Sequence, residues 1–139
     1  VRNLRIWGSG DTVVWGAIEG THTITFNPVK PDPGLIISLR QPIGPPILAL
    51  NPQVLNLSKP AAVFDPYEFF NSGDIGVFGA TGASLALAFD KPGVFNYFCA
   101  IHTELGMEGT ITVVFVAADQ ILFPHDAGTI LKQGFKRIG

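Results

Sequence analysis

From Lys91 to Val116 the chain reads K-P-G-V-F-N-Y-F-C-A-I-H-T-E-L-G-M-E-G-T-I-T-V-V-F-V, and this stretch restricts the fold more than any other. Val94 to Cys99 alternates with the period of a β-strand, placing Phe95, Tyr97 and Cys99 on one face and Val94, Asn96 and Phe98 on the other. The alternation breaks from Ala100 to Gly109, where Gly106 and Gly109 permit a turning backbone, and β-branched residues resume from Thr110 to Val116. Two strands joined by a loop are expected, with Cys99 at the end of the first. The loop region holds the only cysteine and the only methionine of the chain, with His102 between them.

The rest of the sequence suits the same architecture. Leu4–Trp7, Thr12–Trp15, Thr21–Phe26 and Ser84–Phe89 also read as strands, separated by Gly, Asp and Pro, and several short strands with turn signals between them predict an all-β sandwich. Trp7, Trp15, Phe89, Phe95 and Tyr97 read as core aromatics. Asn27 to Pro60 differs, since it carries eight of the eleven prolines and yet has apolar runs at Leu35–Leu39 and Ile47–Leu50. Proline lacks the donor that a central strand needs. Residues 27–60 therefore read as a long Pro-rich insertion with an edge strand or two, packed on the sandwich through its Ile and Leu side chains. Asp65 as cap and Pro66 at the first helical position predict a turn of helix over Asp65–Phe70. Residues 1–116 form the expected domain; 117–139 form an extension or linker, in which Lys132, Lys136 and Arg137 give a charge of +3 after Leu131.

Composition removes several classes of function. At 139 residues the chain is one domain's worth, 47% apolar and 14% charged, with no apolar run of the ~20 residues that a membrane helix needs. A net charge of -2 offers no footprint for nucleic acid. One cysteine cannot form an internal disulfide, so cysteine usage is silent on the redox compartment. The chain opens at Val1 with no initiator methionine and no legible export signal.

The spacing C-x-x-H-x-x-x-x-M puts a thiolate, an imidazole and a thioether on one loop, donors that suit copper; one further imidazole completes a trigonal set with a long axial sulfur. Taken singly, Cys99 and Met107 read as packing residues. The Pro92-Gly93 turn, the aromatic strand, Cys99, His102, Met107 and Gly109 ahead of a Thr/Val strand together resemble the copper loop of the cupredoxins, in the spacing of the plastocyanin-like branch. That family takes its remaining ligand from a histidine shortly after a G-D-T-V-x-W-like strand. Here Gly10 to Trp15 reads G-D-T-V-V-W and is followed by Gly20-Thr21-His22-Thr23.

The resemblance implies a Greek-key β-sandwich and one type 1 copper held by His22, Cys99, His102 and Met107. It also implies one-electron transfer between redox partners that dock transiently near His102, over a patch of Ile101, Leu105, Gly106 and Ala80, and a periplasmic or other extracytoplasmic location. Two departures accompany it. Thr23 stands where the plastocyanin-like members carry an asparagine, and Phe98 where they carry a tyrosine on a proposed electron route. Only Val1–Trp7 is left for the strand that normally precedes G-D-T-V-x-W, so a short or truncated first strand is expected. Four protein donors leave no position for a substrate, which argues against an enzyme. The alternative is a domain of a larger multicopper oxidase or nitrite reductase, which needs more histidines than the three present. His125, in P-H-D, reads as a turn residue, Glu104 and Glu108 as a solvated rim, and zinc as a competitor for the site in vitro.

Overall fold

The computed structural model describes residues 3–6, 10–17, 19–60, 62–76, 84–114 and 130–135. The β-branched and aromatic alternation produces β1 (Asn3–Ile6), β2 (Asp11–Ala17), β3 (Thr21–His22) and β4 (Thr25–Phe26). A hairpin of β5 (Ile36–Leu39) and β6 (Ile47–Leu50) follows, then the one-turn helix α1 (Pro52–Leu55), β7 (Phe70–Asn71) and β8 (Ile75–Gly76). The chain continues through β9 (Ser84–Phe89), β10 (Gly93–Phe98), β11 (Glu108–Val113) and β12 (Ile130–Phe135). One sheet has the order β1-β11-β10-β4-β7 and a second the order β12-β2-β9, while β3 pairs with β8 and β5 with β6. The fold is the expected all-β sandwich.

Its core is where the alternating faces of the two larger sheets meet. Val13, Trp15, Leu87 and Phe89 from one sheet are buried in a single cluster with Phe26, Tyr97, Ile111 and Val113 from the other. Trp15 meets Tyr97 edge-on with ring centroids 5.5 Å apart and Phe26 at 6.2 Å, the arrangement that ring quadrupoles favour. Each large side chain buried this way contributes roughly 1.5–3 kcal/mol. Phe95 packs at the edge of the cluster, and Trp7 lies outside the described residues. Along β10 the expected alternation holds, with Tyr97 and Cys99 buried and Val94 and Asn96 exposed.

Three local expectations change. The single strand expected over Thr21–Phe26 is two strands in different sheets. It breaks because the N–H groups of Thr23 and Ile24 donate to side chains, the Cys99 sulfur and the Ser72 hydroxyl. Asp65–Phe70 is not helical; the Asp65 carboxylate accepts the Tyr67 N–H at 2.9 Å and closes an Asx-turn. The helical turn lies earlier, at α1, where Asn51 caps the Gln53 N–H and Pro52 opens the helix.

The insertion does hold two strands, but they pair only with each other, from Ile36↔Leu50 to Leu39↔Ile47. Flanking prolines withhold the donors that a join to the sandwich sheets needs. Its Ile and Leu side chains do not pack on the sandwich as expected: Leu48 is 77% exposed and Ile43, at the tip, 93%. Val54 of α1 is the large apolar residue of the insertion that is fully buried.

At the chain's two ends, β1 runs parallel to β11 in the register Asn3↔Thr110, and β12 runs parallel to β2 from Ile130↔Thr12 to Phe135↔Ala17. The segment assigned to an extension thus adds a strand to the β2-β9 sheet.

Candidate metal centre

The loop after β10 is shaped by its own backbone. His102 N–H donates to the Cys99 carbonyl at 3.2 Å, Leu105 N–H to the His102 carbonyl at 3.0 Å, and Gly106 N–H to the Thr103 carbonyl at 3.1 Å. Gly106 ends this tight 3-10 turn at φ +62°, a left-handed conformation that glycine adopts without steric cost. The chain then doubles back, and the Met107 carbonyl accepts the Cys99 N–H at 2.8 Å. Cys99 and Met107 are thereby locked together at the two ends of the loop.

His22 arrives from the other side of the sequence. Its strand, β3, lies so close to β8 that a Cβ on Gly76 would fall 2.1 Å from the Gly20 carbonyl oxygen; only glycine permits that approach. The His22 imidazole is buried, with Nε2 2.8 Å from the Glu19 carbonyl oxygen. A carbonyl can only accept, so Nε2 is the donor of this bond and Nδ1 is the nitrogen on the side of Cys99. That Nδ1 lies 4.0 Å from the Cys99 sulfur, and the His102 Nδ1 lies 3.5 Å from the same sulfur. The two imidazole rings are 5.1 Å apart between centroids. Burial and, after it, the neighbouring His22 hold His102 below its ordinary pKa of 6.5, which favours the neutral, metal-binding form.

Cys99 is fully buried. The Thr23 N–H donates to its sulfur at 3.4 Å, and the Thr23 hydroxyl accepts the Ala100 N–H at 2.8 Å, so one residue clamps both sides of the Cys99–Ala100 peptide. The donor atoms of His22, Cys99 and His102 lie within 4.8 Å of one another. Metal bonds of about 2.3 Å to sulfur and about 2.0 Å to nitrogen, in a trigonal plane, separate sulfur from nitrogen by about 3.7 Å. The observed separations of 3.5 and 4.0 Å bracket that value, so the donor set fits a transition metal.

Of the four sequence-predicted ligands, the fold gathers His22, Cys99 and His102 into one cluster, and it buries Met107 in the wall of a cleft shared with His22, His102 and Leu105. Leu105 is 68% exposed, Ile101 partly so, and Glu104 and Glu108 lie in solvent, while Ala80 and His125 lie outside the described residues. Sequence reasoning passed over Thr25 and Asn71, both fully buried behind Thr23. The period-two repeat of Thr23 and Thr25 was the available signal: two hydroxyls on one strand face need partners when that face is inside.

The comparisons with known proteins agree with this geometry. Residues 64–114 match the family model of copper binding proteins of the plastocyanin/azurin family, a span that includes Cys99, His102 and Met107 but not His22. No curated protein and no solved structure matches the chain. The matched copper loop, with His22 brought to it by the sandwich, supports a cupredoxin with one copper site and a copper-binding function of the electron-transfer type.

Proposed function

We propose that the chain carries single electrons on one type 1 copper, which His22, Cys99, His102 and Met107 would hold, Met107 as the weakest donor. The observation that supports this best is the convergence of three donors, two of them 77 residues apart, within 4.8 Å beside a buried methionine. When bound, copper supplies the Cu(I)/Cu(II) couple. The protein supplies the rest. Cys99 binds as the thiolate, its proton displaced by the metal. His22 offers a lone pair already aimed, because the Glu19 carbonyl holds its other nitrogen. The closed Cys99–Met107 loop and the Thr23 clamp resist rearrangement, which keeps the two oxidation states close in geometry.

Four protein donors leave no place for a substrate, which favours a carrier over the catalytic domain of an oxidase or nitrite reductase. The electron port is His102, partly exposed beside Leu105 and Ile101, an apolar surface suited to brief docking of a redox partner. Work outside the cytoplasm follows the habit of the family. Titration of metal-free protein with Cu(II), followed by visible absorption and EPR, tests the assignment. An intense blue thiolate-to-copper band saturating at one copper per chain is expected. A pale, weakly held copper would overturn it.

A further inference from the structure

A buried chain of hydrogen bonds leaves the copper loop and runs away from it. The Ala100 N–H donates to the Thr23 hydroxyl at 2.8 Å, the Thr23 and Thr25 hydroxyls are 3.0 Å apart, and the Thr25 hydroxyl donates to Asn71 Oδ1 at 3.4 Å. Asn71 then donates through Nδ2 to the Gln53 carbonyl at 2.5 Å and the Val54 carbonyl at 2.7 Å, both in α1 of the insertion. Thr23, Thr25 and Asn71 are each fully buried, so no water competes.

The polarity of this chain is fixed by its ends. The two carbonyls of α1 can only accept, so Nδ2 must face them and Oδ1 must face Thr25. An amide oxygen can only accept, so the Thr25 proton goes to it. Thr25 then has no proton left for Thr23, and the Thr23 hydroxyl must donate to Thr25. That leaves the Thr23 oxygen lone pairs for Ala100. Each group thus has one role available to it, and in a low-dielectric interior such bonds strengthen one another.

We infer that Thr25 and Asn71 are positioning residues for the copper site, which tie the loop bearing Cys99 to helix α1 of the insertion. They touch no ligand and act through Thr23, whose N–H reaches the Cys99 sulfur. The inference rests on the copper assignment above and extends it: the insertion sets the orientation of Asn71, and through it the hydrogen bond on the thiolate. Weaker N–H donation leaves more charge on sulfur, favours Cu(II) and lowers the reduction potential.

Thr25→Val removes the middle hydroxyl and keeps the shape of the side chain, and Thr25→Ser restores the hydroxyl. Two readouts separate the possibilities. In metal-free protein the Ala100 amide should exchange about tenfold faster in Thr25→Val than in the wild type, because its acceptor, the Thr23 hydroxyl, loses the partner that orients it, with Thr25→Ser close to the wild type. In copper-loaded protein the reduction potential should fall and the thiolate-to-copper band should shift in Thr25→Val alone. Thr25→Ala, which adds no new branch, gives a second cut with the same expectations should the valine variant fail to fold. Lower stability with an unchanged Ala100 amide, or with an unchanged band and potential, would reduce Thr25 to a packing role and overturn the inference. A wild type without the blue band overturns the copper assignment instead, and the Ala100 amide then judges the hydrogen-bond chain by itself.

Discussion

Two excursions leave the sandwich, and they are built in opposite ways. The loop from Cys99 to Met107 is nine residues held inward: Cys99, Ala100 and Met107 are buried, and Thr23, remote in sequence, clamps the Cys99–Ala100 peptide. The hairpin of β5 and β6 is held outward. Its strands hydrogen-bond each other, and its large side chains, among them Ile36, Ile43, Leu48 and Leu50, stay half or more exposed. The apolar sequence of the hairpin brings no burial, whereas Cys99 and Met107 of the copper loop are enclosed. The difference shows that hydrophobicity chooses the interior only where partner strands can close over it. Elsewhere the polar contacts decide: Asn51 Nδ2 donates to the Gly34 carbonyl within the insertion, and Asn71 fastens the insertion to the sandwich through the carbonyls of α1.

That contrast can be broken from either side. Cys99→Ala should abolish the thiolate-to-copper band completely while far-UV circular dichroism stays that of a β-sandwich; a retained band would remove Cys99 from the ligand set. Asn71→Ala strips four hydrogen bonds from a fully buried position and should cost about 3 kcal/mol in urea unfolding. A cost under about 0.5 kcal/mol, the range of surface substitutions, would mean that the amide latch does not hold the insertion.

Met107→Leu should keep the blue colour and raise the reduction potential, because losing the axial sulfur disfavours Cu(II) more than Cu(I). An unchanged potential would show that Met107 is not axial. A smaller effect concerns protons. The folded pKa of His102 lies below its ordinary 6.5, so the unfolded chain takes up the proton first as pH falls. Metal-free protein should therefore lose a little stability as pH drops below 6.5 towards the folded value, seen as a lower urea midpoint, and His102→Gln should flatten that slope. Equal slopes in both proteins would contradict the assignment. Smallest of all, Leu48→Ser on the exposed hairpin should change stability by no more than about 0.5 kcal/mol; a cost of several times that would show the hairpin to be buried in solution.

Much of the site was legible because the copper loop is local. Cys99, His102 and Met107 lie within nine consecutive residues, and glycine and strand alternation announce the turn that brings them together. His22 was legible only through its resemblance to a known pattern, since nothing within its own stretch points to Cys99. The insertion was misjudged where composition was taken for packing. Ile and Leu signal burial on average, yet the hairpin's fate depended on whether any sheet edge was free to receive it. Asp65 and Asn51 tell a similar story at small scale: both can cap a helix, and which one does is settled by the hydrogen bonds the following residues find elsewhere.

The β class, the strand ahead of Cys99, the loop spacing and the chemical softness of its donors follow from the order of residues alone. These depend on side-chain type and on neighbours a few residues away. It took the closed fold to face His22 Nδ1 to the Cys99 sulfur, to divide Thr21–Phe26 between two sheets, and to join the copper loop to the insertion through Thr23, Thr25 and Asn71. The contacts of Cys99 with His22, of Ala100 with Thr23 and of Thr25 with Asn71 pair groups some 45 to 80 residues apart, and such pairings are selected by the closure of the whole sandwich, where every buried donor must find an acceptor at once.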